Sequence, residues 1–215
     1  MDRDQKDTCR AAMLALLPVA AVWIVFIVDS ICSLRLARYG LAPLDISRFY
    51  GVCTIPFLHS GLDHLISNTP SLFLLVFGLF LFYDRKAWTI LLSHYLISGF
   101  VTWCMGRQGS LHIGASGLIY ALAAFHFASG LIRRVPRQMA FSLLVAFLYG
   151  GFVWAFFPTL YIYTSVSWEG HLSGLLTGIA LAFYYRRYGP PMPTDPFPDG
   201  EDDDDGDADA YWKTD

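Results

Sequence analysis

The chain is short of charge. Lys, Arg, Asp and Glu make up 15% of its 215 residues, against 55% hydrophobic and 16% aromatic, with a mean hydropathy of +0.44. That composition lies outside the soluble globular range. Charge is absent above all from six stretches, residues 11–28, 65–83, 87–105, 113–132, 139–157 and 168–185, which hold no Lys, Arg or Asp and a single Glu, Glu169. Alternation of polar and apolar residues is missing as well. A run such as LFLLVFGLFLF is apolar on every side, which excludes the strands of a membrane barrel. A helix rising about 1.5 Å per residue needs roughly 20 residues to cross the hydrocarbon. The expected fold is therefore an all-α membrane protein, six transmembrane helices in one bundle.

Other absences narrow the chemistry. The four cysteines show no metal-ligand spacing, and Cys32, Cys53 and Cys104 fall at or near one face of the membrane. There is no H-E-x-x-H string, which excludes the helix-borne zinc site of membrane metalloproteases. No Asp lies within a span, Asp29 standing just past the first, which excludes a pair of intramembrane aspartates. A transporter would call for two related halves with broken helices and intramembrane charge, and neither is evident. No metal, no cofactor and no nucleic-acid partner are expected.

The first span follows Arg3, Lys6 and Arg10, as a secretory signal would. Its apolar run is long for a signal, however, and VDSICSL after it lacks a small-x-small cleavage pattern, so it is expected to be retained. If the N-terminus is cytoplasmic, inside segments hold eleven Lys and Arg and outside segments only Arg35, Arg38, Arg48 and Arg107. The excess favours cytoplasmic N- and C-termini. Residues 189–215 carry ten acidic side chains and one lysine. They read as an acidic, Pro-rich cytoplasmic tail after a 1–10 N-terminus and an 11–188 helical domain.

In hydrocarbon a polar side chain needs a partner or a task. The second span opens with FLHSGLDHLISN, in which His64 and Asn68 lie four apart on one helix face. Taken alone, they are as well explained by tying two helices together. The fourth span opens with HIGASGLIYAL. There Gly114 and Gly117 flank Ser116 with small neighbours that permit close approach, and Tyr120 shares its face. This is not the G-x-S-x-G elbow, because Leu118 stands at the fifth position and no strand precedes it. The sixth span has His171 on one stripe with Gly174 and Gly178, a G-x-x-x-G surface for close helix contact. Helices two, four and six run in the same direction, so His64, Asn68, Ser116 and His171 are expected at one depth near the outer face. His94 and His126, deep in the third and fourth spans, read as histidines bonded to neighbouring helices. Glu169, two residues before His171, reads as a loop carboxylate on a different helix face.

These pieces together resemble the rhomboid family of intramembrane serine proteases, in its prokaryotic six-helix form. The matching strings are RFYGVCTIPFLHSGLDHLISN, GASGLIYAL and GHLSGLLTG, and their order and spacing match over residues 11–187. The resemblance implies Ser116 as nucleophile and His171 as its base, in a dyad without a third acidic member. It implies an oxyanion hole of His64, Asn68 and the Ser116 N–H. Tyr120 would pack against the His171 ring, Gly174 would let helix six approach helix four, and His59 would be structural. Two departures stand out: Gly170 precedes His171 where Ala is common, and the first outer loop is short and lacks a Trp-Arg pair.

The resemblance further implies an integral protein of a prokaryotic cytoplasmic membrane. Its partners would be the lipid bilayer and single-pass membrane protein substrates, weakened near their outer ends by Gly, Pro or polar residues. The fifth span, with Gly150, Gly151, Phe152, Trp154, Phe156 and Phe157, is a candidate lateral gate, although a lipid-facing aromatic helix fits it as well. The alternative to a protease is a non-enzymatic rhomboid-like protein that binds or chaperones membrane helices. Members of that kind would be expected to lose the serine or the histidine, and this chain keeps both.

Overall fold

A computed structural model describes residues 2–150 and 168–191. Six long helices lie among them: α1 (Arg3–Cys32), α2 (Leu62–Tyr83), α3 (Ala87–Met105), α4 (Ser116–Arg133), α5 (Pro136–Tyr149) and α6 (Trp168–Tyr184). Among the described residues there is no strand, only an isolated antiparallel bridge between Leu41 and His112. Among the described residues three helical runs are long and apolar enough to cross a membrane: Asp4–Cys32, Ser116–Arg133, and a 44-residue run Leu62–Met105 that contains α2 and α3. At 17 residues α6 is near the shortest length that can span. The all-α, six-helix reading of the sequence holds.

Large apolar side chains cover the outside. Leu16, Leu17, Ile24, Phe100, Leu143 and Phe147 are all exposed, a surface that water would not tolerate in a monomer and that lipid requires. Inside, α4 is the central post, packed against α2, α3, α5 and α6. Its fully buried Leu122 and Phe125 join Leu75 and Leu79 of α2 and Ile90 of α3 in the core. α1 leans on α2, where the Trp23 indole N–H donates to the Thr69 hydroxyl at 3.0 Å.

Helix ends follow local chemistry. α2 passes into α3 through a three-residue 3-10 turn, Asp84–Lys86. α4 ends where Arg134 takes a left-handed φ of 53°, and α5 begins with Pro136, whose missing N–H costs nothing in a first turn. The fourth span starts later than the expected residue 113: Gly114 has φ 111°, which no helix contains, so the helix begins at Ser116 itself. The connection 33–61, expected from the sequence to be a short loop, is neither short nor a bare linker. It folds into the 3-10 turns Leu36–Tyr39, Ile46–Arg48 and Ile55–Phe57 and the single turn Gly51–Thr54, and it is clipped to the loop before α4 by reciprocal backbone bonds between Leu41 and His112.

His94 and Arg133 sit differently from expectation, and so does Glu169, which is no loop carboxylate but the second residue of α6, 5% exposed. His126 does bond a neighbouring helix, through Nε2 to the Leu75 carbonyl at 2.8 Å, but His94 turns Nδ1 to Ile90 of its own helix at 2.7 Å. Arg133, counted among the loop cations, is 4% exposed; it donates to the side chain of Gln138 and to the carbonyls of Arg186, Tyr188 and Pro190, fastening the chain where it leaves α6. Of the aromatic gate candidates, Gly150 lies just past α5, while Gly151, Phe152, Trp154, Phe156 and Phe157 fall outside the described residues, as does the tail beyond Pro191.

The contact that places α6 is backbone on backbone. A Cβ at Gly174 would collide with the Gly117 carbonyl oxygen, and one at Gly178 with that of Ala121. Gly178→Ala should therefore lower thermal stability in detergent, by about 1–3 kcal/mol as for other overpacked sites. Gly61→Ala, where nothing among the described residues lies within 4 Å of the added carbon and φ is extended, should melt as wild type does. Equal melting temperatures for the two variants would count against the packing described.

Candidate active site

The glycine contact between α4 and α6 leaves their first turns side by side. Ser116 is the first residue of α4 and His171 lies in the first turn of α6. His171 Nε2 stands 3.1 Å from Ser116 Oγ, within hydrogen-bond reach across 55 residues of sequence. The Tyr120 ring, one turn below Ser116, stacks on the imidazole with centroids 4.1 Å apart and planes 8° from parallel. That stack fixes the plane of a ring that is only 7% exposed. His171 Nδ1 is buried and has no hydrogen-bond partner among the described residues. Glu169 directs its carboxylate to Arg107 at 3.8 Å.

The turn before Ser116 is set from two sides. The Gly114 N–H donates to the Ile55 carbonyl at 2.9 Å, anchoring it to the connection between α1 and α2. At φ 111° Gly114 adopts backbone geometry that a side chain rarely takes, and a Cβ there would lie 2.7 Å from the His64 ring and 3.9 Å from the Asn68 amide nitrogen. His64 and Asn68 thus face the backbone leading into the serine, as their i, i+4 spacing on α2 predicts. The first N–H groups of α4 have no acceptor within their helix, so they are free to donate at the turn that carries Ser116.

His59 does more than fill space. The Asn68 amide nitrogen lies 3.1 Å from His59 Nε2, and the His59 and His64 rings pack edge to face at 4.9 Å. Ser60 in turn bonds His64 Nδ1 at 3.2 Å. The loop 58–61 therefore orients both polar side chains of α2. The sequence marked His59 but gave no partner for it, since its nine-residue separation from Asn68 spans a loop with no fixed period. His112 was missed altogether: 4% exposed, bonded to Ser110 Oγ at 2.8 Å, it pins the loop before α4. Its place one residue outside the expected span was the only hint.

Burial, with His64 adding to it, pushes His59 down to about 4 from the usual 6.5. The ring is thus neutral at pH 7, and its Nε2 accepts from Asn68. A histidine with a lowered folded pKa contributes stability that is complete above about 6.5 and is lost as pH falls toward 4, because the unfolded chain takes up the proton first. His59→Gln offers Asn68 an acceptor that does not titrate. The drop in melting temperature between pH 7 and pH 5 should accordingly be smaller in His59→Gln than in wild type; identical slopes would contradict the assignment.

Comparison with known proteins agrees with this architecture. The chain matches the Rhomboid domain over residues 47–188. It is 36% identical over 171 residues to uncharacterized proteins of Mycobacterium bovis and Mycobacterium tuberculosis, an overlap covering 77% of this chain and 71% of each relative. An uncharacterized protein of Mycobacterium leprae is 32% identical over 171 residues, covering 77% of this chain and 67% of the relative. The chain belongs to the rhomboid family, and its apolar helices mark it as an integral membrane protein.

Proposed function

We propose that this protein is an intramembrane serine endopeptidase that cleaves transmembrane-helix substrates near the outer membrane face with a Ser116–His171 dyad. The observation that carries the reading is the 3.1 Å approach of Ser116 Oγ to His171 Nε2. A serine hydroxyl becomes a competent nucleophile at neutral pH when an imidazole accepts its proton during attack. Ser116 Oγ adds to the scissile carbonyl carbon while its proton passes to His171 Nε2. The imidazolium then gives that proton to the leaving amine. Water repeats the sequence on the acyl-enzyme, with His171 again as base, and releases Ser116.

In this mechanism the imidazolium has no acidic partner at Nδ1 among the described residues, and the face of Tyr120 takes over part of that role by cation–π attraction. The negative oxygen of the tetrahedral intermediate is held by His64, Asn68 and the Ser116 N–H. One well-aimed donor of this kind contributes about 10²–10³ in rate. Gly114 and Gly117 keep the serine open to a peptide, and Gly174 and Gly178 hold the base in place. A substrate helix must unwind locally to present a carbonyl, which favours segments weakened by Gly, Pro or polar residues. The working orientation has both termini in the cytoplasm, which puts the first turns of α2, α4 and α6 toward the outer leaflet.

The test is cleavage of a helix-destabilised transmembrane reporter by purified protein in lipid. Ser116→Ala and His171→Ala should each lower turnover by about 10³-fold or more, and Asn68→Ala by about 10²-fold. Reporter that binds wild-type protein but stays intact would favour the helix-binding alternative, and turnover that survives Ser116→Ala would end the dyad reading.

A further inference from the structure

The dyad joins two elements from distant parts of the sequence, and a buried charge sits at their seam. Glu169, the second residue of α6, is 5% exposed. A carboxylate so far out of water is costly unless charge compensates it. Its partner is Arg107, whose Nε lies 3.8 Å away and whose own side chain is 77% exposed. Arg107 belongs to the loop between α3 and α4, so the cation reaches in from the outer face to the start of the helix that bears His171.

The same loop brings a second group. His112, 4% exposed and held by Ser110, is in electrostatic reach of both Glu169 and Arg107. Burial lowers its pKa, while the Glu169 carboxylate opposes that shift. Four residues beyond His112 the loop delivers Ser116. On the other side of the seam, the Gly170 carbonyl next to Glu169 approaches Gly117, at 3.3 Å from where its Cβ would be, and His171 follows. An acidic side chain in the first turn also suits the unpaired N–H groups there.

We propose that Glu169 is a positioning residue for the Ser116–His171 pair: with Arg107 and His112 it locks the loop that delivers Ser116 against the first turn of the helix that carries His171. The inference rests on the endopeptidase reading. Glu169 acts through the backbone, since its carboxylate turns to Arg107 and leaves His171 Nδ1 unpartnered. An error of about 1 Å between reacting groups costs on the order of 10²-fold in rate, so a tie at the seam affects turnover more than substrate binding.

The full chain in lipid, with the transmembrane reporter, separates positioning from simple support. Glu169→Gln should lower kcat about 10-fold and leave KM within about 2-fold, a fraction of the loss expected from full misalignment. Arg107→Gln should show a smaller loss of the same kind, Arg107→Lys should restore turnover, and the double variant Glu169→Gln/Arg107→Gln should be no slower than Glu169→Gln alone. Normal kcat in Glu169→Gln, additive losses in the double variant, or a loss fully accounted for by the fraction of Ser116 that a serine-directed phosphonate can titrate would overturn the proposal. Should Glu169→Gln fail to fold, the exposed Arg107 variants decide it: the proposal fails if Arg107→Gln turns over normally or Arg107→Lys does not restore. A normal Glu169→Gln beside a dead Ser116→Ala sinks only this inference, whereas cleavage by Ser116→Ala sinks the endopeptidase reading as well.

Discussion

Everything at the site depends on two glycines having no side chain. Gly174 and Gly178 let α6 lie directly on the carbonyls of Gly117 and Ala121, closer than any residue with a Cβ would permit. In a bilayer, where lipid tails are as apolar as side chains, such van der Waals contact is a main source of helix association. Its consequence is geometric. With α6 seated on the upper half of α4, the first turns of both helices meet, and an imidazole and a hydroxyl come within hydrogen-bond reach.

The same constraint explains how polar groups are handled elsewhere. Several hydroxyls within the helices return to carbonyls four residues back, as Thr69 does to Leu65, Ser93 to Thr89 and Thr102 to Ser98. His126 serves the Leu75 carbonyl and Arg133 gathers the carbonyls that end α6. These bonds close on themselves and leave nothing to react. At the first turns of α2, α4 and α6 the pattern changes. His64 and Asn68 face the backbone at Gly114, two residues before Ser116, and His171 Nδ1 has no partner among the described residues. Among the described residues the buried side-chain atoms left without a partner are few, His59 Nδ1, His94 Nε2, His171 Nδ1 and Thr177 Oγ1, and two of the four lie at this end of the bundle.

Much of this was legible in the sequence because helices carry a period. The spans appear as uncharged runs, the His64–Asn68 pair as an i, i+4 spacing, and the α4–α6 contact as Gly174 and Gly178 on the stripe of His171. What periodicity does not reach is the loops. The start of α4 was read three residues early, since Ile113, Gly114 and Ala115 are as apolar as a helix and only the φ of Gly114 excludes them. Arg133 looked like a loop cation because a sequence does not show which carbonyls will surround a guanidinium. The bonds of His59 to Asn68 and of His112 to Ser110, and the charge at Glu169, depend on where connections between helices fold back, and no spacing rule encodes that.

The central claim is that the Ser116 hydroxyl is activated by the His171 imidazole. Its most direct measurement is mass-spectrometric mapping of a serine-directed phosphonate on the protein in lipid. The account predicts a single adduct on Ser116 in wild type and its loss in a folded His171→Ala variant. An adduct on another serine, or undiminished labelling of Ser116 without the imidazole, would contradict it.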